Sequence, residues 1–180
     1  MTGRIVKLGK LEINLDELAE FLVYAKKRGY AGGGEEEKLP GGGKRIIIKR
    51  GDLVYIDEWD GSKQAPGGEK VTWQRPDGQV IWRMGYSGGM LPRFQGNQQL
   101  TRRTFNVLKQ ALIEVPLNMP FRGPPFLIVY DNDSYLTYSC HVRGNIERFE
   151  GYEQIIKVPE YEKLFSTDFS GGLAIPKSRK

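Results

Sequence analysis

The feature that most constrains the fold of this 180-residue chain is an internal repeat. Residues 55–89 align without a gap to residues 138–172, at an offset of 83 positions, with seven identities. The identities are Tyr55/Tyr138, Gly61/Gly144, Gly68/Gly151, Pro76/Pro159, Ser87/Ser170, Gly88/Gly171 and Gly89/Gly172. A repeat of this kind is typical of a duplicated supersecondary unit, so we expect two copies that pack about a pseudo-two-fold axis.

The first copy is predicted to be an extended lead-in, a helix and a strand meander. Asn14 is a helix N-cap with Glu17 in the capping-box position, and Gly29 ends the helix. The glycine-rich segment 32–43 is expected to be a flexible loop rather than a phosphate loop, because strand residues follow it. The predicted strands are residues 45–49, 53–59, 69–74 and 79–86.

The second copy repeats the pattern of a helix followed by strands. Its helix carries Phe105, Leu108, Leu112 and Val115 on one face and is ended by Pro116. The strands are predicted at 126–130, 135–142, 146–158 with a break near Gly151, and 161–169, with a hairpin turn at Asp131, Asn132 and Asp133.

These elements predict an α+β fold in which one antiparallel sheet carries both helices on one face. We expect a single domain over residues 1–180, with repeat 1 at about 4–89, repeat 2 at about 101–173 and a basic tail at about 174–180.

The net charge of +5 permits a nucleic-acid-binding interpretation, because clustered cations release phosphate counterions. The basic residues that would serve it fall in separate groups: Lys44, Arg45, Lys49, Arg50, Arg102 and Arg103, besides the tail residues Lys177, Arg179 and Lys180. A solvated surface explains the same groups, and this interpretation is favoured.

Composition also bounds the location and the chemistry. No apolar run approaches the roughly 20 residues of a membrane span, and the N-terminus has no signal-type hydrophobic stretch, so we expect a cytoplasmic protein with no membrane partner. The single Cys140 agrees with a reducing compartment. One cysteine and one histidine do not make a usual zinc site, and neither a metal nor a cofactor is predicted.

The alternation of side chains along the strands predicts an aromatic cleft between the two copies. Tyr55, Asp57 and Trp59 point to one side of a strand, and the repeat maps them to Tyr138, Cys140 and Val142. We therefore expect a ligand site drawn from Tyr55, Asp57, Trp59, Trp82, Tyr86, Arg122, Tyr138, Cys140 and Phe169. The alternative for the aromatic residues is an ordinary core.

Among these residues, Asp57 has the most informative chemistry. A carboxyl group among aromatic rings has a raised pKa, which suits proton transfer or the binding of a cationic ligand. The alternative is a solvated Asp57 or one paired with a lysine. Arg122 lies in a proline-rich loop, where it either clamps an anion or anchors the loop through carbonyl groups.

Cys140 is predicted to be a buried structural residue. His141 follows it directly, so on a strand the two side chains point to opposite faces and do not form a catalytic pair.

Several short strings resemble one uncharacterised bacterial and archaeal domain family over roughly residues 15–173. They are Tyr30-Ala31-Gly32, Tyr55-Ile56-Asp57, Ile81-Trp82-Arg83-Met84, Pro120-Phe121-Arg122-Gly123-Pro124, Tyr138-x-Cys140-x-Val142-x-Gly144, Phe149-x-Gly151-Tyr152-Glu153 and Phe169-Ser170-Gly171-Gly172. Members of that family occur alone or behind a Cro/C1-type helix-turn-helix, which implies a sensing or regulatory role in the fused members.

The chain departs from the family pattern at two places. Met84-Gly85-Tyr86 stands where the family has Met-Asn-Tyr, and Phe169-Ser170-Gly171-Gly172 stands where it has Phe-His-Gly-Gly. A family reaction that used this histidine would be missing here. The element order is also similar to the duplicated domains of the GyrI-like and SOUL group, several of which bind amphipathic small molecules.

Three functions follow as hypotheses. The leading one is a small-molecule-binding or regulatory domain, and the second is a nucleic-acid-binding accessory protein. The third is a hydrolase or isomerase with Asp57 as its base. The sequence does not indicate an oligomeric state.

Overall fold

The computed structural model of the protein describes residues 4–131 and 134–176. The centre of the predicted hairpin turn, Asn132 and Asp133, and the tail residues Lys177, Arg179 and Lys180 lie outside the described residues.

Two α-helices, α1 (Leu15–Arg28) and α2 (Gln98–Ile113), begin directly after asparagine caps. The Asn14 side chain accepts a hydrogen bond from the Asp16 backbone N–H at 3.0 Å, and Asn97 accepts one from that of Leu100 at 2.9 Å. Each bond satisfies an N–H group that would otherwise lack a partner in the first helical turn.

The end of α2 corrects the sequence prediction. The helix stops at Ile113, so Val115 lies beyond it and is buried in the following segment. The physical reason is Pro116, whose ring disfavours the helical conformation of the residue before it.

The described residues form eleven strands. They are β1 (Ile5–Leu8), β2 (Leu11–Asn14), β3 (Glu37–Lys38), β4 (Lys44–Arg50), β5 (Leu53–Trp59), β6 (Gly67–Trp73), β7 (Val80–Met90), β8 (Phe126–Asp131), β9 (Ser134–Asn145), β10 (Arg148–Val158) and β11 (Glu162–Leu173). β1 and β2 form a separate hairpin, while the other nine strands form one antiparallel sheet in the order β3-β4-β5-β6-β7-β11-β10-β9-β8. The fold is therefore α+β, with a large antiparallel sheet and two helices.

Strand β10 continues through Gly151, where the sequence predicted a break. Gly151 pairs with Val142 on one side and with Phe169 on the other. A Cβ atom at this position would lie 2.3 Å from the His141 carbonyl oxygen and 2.7 Å from the Phe169 ring. The glycine thus permits close approach of its neighbours and does not end the strand.

The hydrophobic core lies between the helices and one face of the sheet. Both helices contribute their apolar faces to it, including Phe21 and Leu22 from α1 and Leu108 from α2. Within the core, Phe149 of β10 stacks on Phe121 at a ring-centroid distance of 3.8 Å. Among the described residues, no helix is long and apolar enough to span a membrane.

Candidate functional site

A cavity of about 210 Å³ lies between the two helices and the half of the sheet that contains β5, β6 and β7. Alternation along β5 directs its Tyr55, Asp57 and Trp59 side chains to the helix-facing side. The cavity has six aromatic wall residues: Tyr30, Tyr55, Trp59, Tyr86, Phe105 and Phe165.

The structure brings some of the predicted site residues together and separates others. Five of the nine line this cavity: Tyr55, Asp57, Trp59, Tyr86 and Arg122. The other four are buried elsewhere in the core: Trp82, Tyr138, Cys140 and Phe169. The cavity is therefore built mainly from residues 26–89. The residues that we expected to form its two walls do not all face one space.

Asp57 is buried, with an exposed fraction of 7 %. Its Oδ1 atom accepts a hydrogen bond of 2.7 Å from the Tyr86 hydroxyl group, and Glu69 stands directly opposite it on β6. Burial raises the pKa of Asp57 to about 7, and the Glu69 carboxylate adds to this rise. The Tyr86 hydroxyl and the cationic Lys26 and Arg122 oppose it.

Glu69 is held by a lysine from α1. Lys26 is only 5 % exposed, and its Nζ donates to Glu69 Oε2 in a buried ion pair. Burial lowers the pKa of Lys26, while the attraction of Glu69 acts in the opposite direction. The sequence contained a signal for this lysine, because Leu18, Leu22 and Lys26 recur every four residues on the buried face of the helix.

Arg122 connects this ion pair to a second buried carboxylate. Its Nε donates to Glu153 Oε1 at 3.0 Å, and its Nη1 lies 3.7 Å from Glu69 Oε1. The Tyr138 hydroxyl donates to the other Glu153 oxygen at 2.7 Å and accepts from the Gly123 N–H at 2.9 Å. Arg122 therefore binds carboxylate groups, and not the backbone carbonyls that were considered at the sequence level.

Sequence reasoning missed Glu153, although strand alternation carried a signal for it. It lies between Gly151 and Ile155 on the face of β10 that bears the core residue Phe149. A carboxylate on a buried face requires a partner, and here Arg122 supplies it.

Cys140 is a buried thiol without nucleophilic character. Burial raises its pKa to about 12, and the Glu153 carboxylate opposite it on β10 adds to the rise. The thiol therefore stays protonated near neutral pH. His141 is exposed and stacks on Tyr152 at 4.8 Å, away from Cys140.

The basic groups proposed for nucleic acid do not form one surface cluster of unpaired cations. Lys44 lines the cavity and contacts Glu36 at 2.5 Å, and Arg45 binds Glu37 and Glu58. The guanidinium group of Arg50 lies over the Tyr24 ring at 5.0 Å. Lys49 and Arg102 are exposed on β4 and α2, and Arg103 is half-buried on α2.

In the part of the chain that the structure describes, no group of three or more His, Cys, Asp or Glu side chains is arranged to hold a metal ion. The cavity is instead a mixed aromatic and charged space with two acidic side chains. Asp57 has the Tyr86 hydroxyl group as its hydrogen-bond partner, and Glu69 pairs with Lys26.

Comparison with known proteins identifies a family for this chain but no activity. No match was found among curated proteins or among solved structures. The model of a domain of unknown function, DUF5680, matches residues 57–174, a segment that begins at Asp57 and includes Tyr86, Arg122 and Glu153. Since the match covers about two thirds of the chain, this protein belongs to the DUF5680 family.

Proposed function

We propose that this protein is a small-molecule-binding domain whose ligand occupies the cavity between the helices and the first half of the sheet. The observation that carries the proposal is a cavity of about 210 Å³ that combines aromatic walls with a buried carboxyl group. Ligand sites in proteins are commonly apolar concavities with a few placed polar groups.

We further infer that the two halves of the sheet derive from one duplicated unit within a single domain. The strand order supports this, since β4-β5-β6-β7 is followed across the seam by β11-β10-β9-β8. The pairing register also shifts at corresponding places. Ile81 of β7 is skipped opposite Val71 and Thr72, and Leu164 of β11 is skipped opposite Ile155 and Ile156.

The pairing register of the strands gives a more exact correspondence between residues of the two halves than the ungapped alignment of 55–89 with 138–172. Asp57 lies opposite Glu69, and Cys140, its counterpart, lies opposite Glu153. Glu69 therefore corresponds to Glu153, and the second copy contains one additional residue between these strands. Each of the two glutamates binds a cation from outside the sheet, Lys26 in one half and Arg122 in the other.

This correspondence supports a binding role for the first half in particular. Asp57 and its partner Tyr86 correspond to Cys140 and Phe169, so the second half has no carboxyl–hydroxyl pair at the equivalent place. Each half keeps a glutamate that pairs with a cation from outside the sheet, Lys26 of α1 in one half and Arg122 of the segment after α2 in the other. The polar pair that differs between the halves lies at the cavity, which is where a function separate from folding would act.

A thermal-shift screen of the protein with a broad panel of metabolites and amphiphiles tests the proposal. A ligand present at 100 times its Kd adds about 2.7 kcal/mol of stability, which raises the midpoint of a chain of this size by on the order of 5 °C or more. The cavity-filling variant Ala65→Trp should abolish the shift, because Ala65 lines the cavity. Ser87→Trp is the matched control on the exposed side of β7. A panel without any shift, or a shift that survives in Ala65→Trp, contradicts the proposal.

One observation favours a second function, that of an enzyme with Asp57 as base. A carboxyl group with a pKa of about 7 is suited to accept a proton near neutral pH. Each compound that shifts the midpoint is therefore incubated with the protein in deuterated water and followed by NMR. Conversion or hydrogen exchange that Asp57→Asn abolishes would establish an enzyme, whereas an unchanged compound supports binding alone.

A further inference from the structure

The charged groups around the cavity do not balance. Three cations line the cavity, and each pairs with a glutamate: Lys26 with Glu69, Lys44 with Glu36 and Arg122 with Glu153. These six groups form three ion pairs, and Asp57 is the seventh group. Its hydrogen-bond donor is the uncharged Tyr86 hydroxyl, while the nearby cations Lys26 and Arg122 form their ion pairs with Glu69 and Glu153.

We infer that the ligand of this cavity is a small amphiphile with one positive charge, which pairs with the Asp57 carboxylate. The inference rests on the proposed function and names the chemical class of its ligand. A cation would neutralise the one unbalanced carboxylate at a site where water no longer solvates it. An anion would instead lie near the Asp57 and Glu69 carboxyl groups. The three cations of the same wall, Lys26, Lys44 and Arg122, already have glutamate partners.

The shape and the walls of the cavity restrict the cation further. At about 210 Å³ the space lies below the roughly 300 Å³ at which pockets for drug-sized ligands begin. It therefore suits an ammonium group that carries a single ring or a short branched chain. The Trp59 ring, which meets the Tyr30 ring edge to face at 5.9 Å, supplies aromatic surface that attracts cations through the ring quadrupole. The Tyr30 ring already attracts a cation of the chain itself, since Lys109 Nζ lies 4.7 Å from its centroid.

The binding of a cation is coupled to a proton on Asp57. Burial raises the pKa of this carboxyl group to about 7, so about half of the free protein carries the proton at that pH. The ligand pairs with the ionised form and expels the proton. The titratable and charged groups that face Asp57 are Glu69 from β6, Tyr86 from β7, Lys26 from α1, Arg122 from the segment after α2, and Tyr55 and Tyr30.

The pH dependence has a definite direction. For a ligand with a permanent charge only the protein titrates, so affinity is constant above about pH 8 and falls by about tenfold between about pH 8 and about pH 6. A neutral ligand of the same shape does not require the ionised form, and its affinity should not fall as the pH is lowered.

The test uses cations matched with their neutral carbon isosteres. Choline is compared with its tert-butyl isostere, and benzyltrimethylammonium with neopentylbenzene, by titration calorimetry on the wild-type protein. We expect each cation to bind at least about tenfold more tightly than its isostere at about pH 8. Asp57→Asn should remove this preference and leave the affinity for the neutral compounds within about twofold. Asp168→Asn, an exposed aspartate on β11, is the matched control and should leave both affinities unchanged.

The outcomes separate this inference from the proposed function. Neutral isosteres that bind as tightly as the cations, or cation binding that does not weaken at low pH, overturn the positive charge of the ligand and leave a binding cavity. The pH series uses only the wild-type protein, so it decides the matter even if Asp57→Asn does not fold. If neither cations nor isosteres bind and the broad screen also shows no shift, the proposed function fails together with the inference.

Discussion

At the scale of single residues, the structure contains an acid whose charge state depends on folding. Asp57 is buried beside Glu69, and its pKa rises from 3.8 to about 7. In the unfolded chain the same group ionises near its ordinary value. The folded state therefore holds a proton that the unfolded state releases between about pH 4 and about pH 7.

The sign of the resulting pH effect follows directly. Between these two pKa values the unfolded state binds fewer protons, so raising the pH lowers the free energy of unfolding, by roughly 4 kcal/mol in total from this group. Asp57→Asn should remove this component, because an amide does not titrate and can still accept the Tyr86 hydrogen bond.

Urea unfolding of wild type and Asp57→Asn at about pH 5 and about pH 8 measures the difference. We expect the variant to gain on the order of 2 kcal/mol over the wild type between the two conditions. Parallel pH profiles for the two proteins would show that Asp57 titrates normally in the fold.

At the scale of elements, the seam between β7 and β11 joins the two halves of the sheet. These strands pair from Met90 opposite Phe165 to Trp82 opposite Leu173. Gly88, which pairs with Thr167, has a φ of +146°, and a Cβ atom there would lie 2.1 Å from the Ser166 carbonyl oxygen. Only glycine fits this close contact without displacement of the backbone.

Gly88→Ala should therefore destabilise the protein by more than about 1 kcal/mol, because it adds both strain and a clash at the seam. Gly85→Ala in the same strand is the matched control, since a Cβ atom at Gly85 meets nothing within 4 Å. Chemical unfolding compares the two variants. Equal stabilities would mean that the seam adjusts to a side chain at low cost.

At the scale of the whole molecule, one core connects the two halves. Trp82 of β7 has an exposed fraction of 0 % and stacks on Phe149 of β10 at 5.6 Å. The core also joins both helices to the sheet. A substitution that removes packing on one side of the seam should therefore also destabilise the other side. The described chain should unfold as one cooperative unit.

Trp82→Ala should cost about 3 to 5 kcal/mol, and Trp82→Phe less, because phenylalanine retains an aromatic ring in contact with Phe149. Unfolding of the wild-type protein is followed by tryptophan fluorescence and by far-ultraviolet circular dichroism. The two curves should coincide. Separate transitions, or a Trp82→Ala variant as stable as the wild type, would contradict a shared core.

The sequence by itself determined the local structure of this protein. The Asn14 cap, apolar spacing and alternating strands were sufficient to place the start of α1, the apolar face of α2 and most strands, since these depend on neighbours within a few positions. The Asn97 cap at the start of α2 was not predicted. Alternation also placed Tyr55, Asp57 and Trp59 on one face of β5. The helix end before Pro116 and the continuity of β10 were missed, because there neighbouring groups outweigh simple residue preferences.

Only the tertiary structure decided which charged groups meet. Lys26 reaches Glu69 across 43 residues of chain, and Arg122 reaches Glu153 across 31. Such pairs depend on strand register and on helix packing, which long-range contacts set and local pattern does not specify. The same packing buried Trp82, Tyr138, Cys140 and Phe169 in the core and left Asp57 at the wall of a cavity.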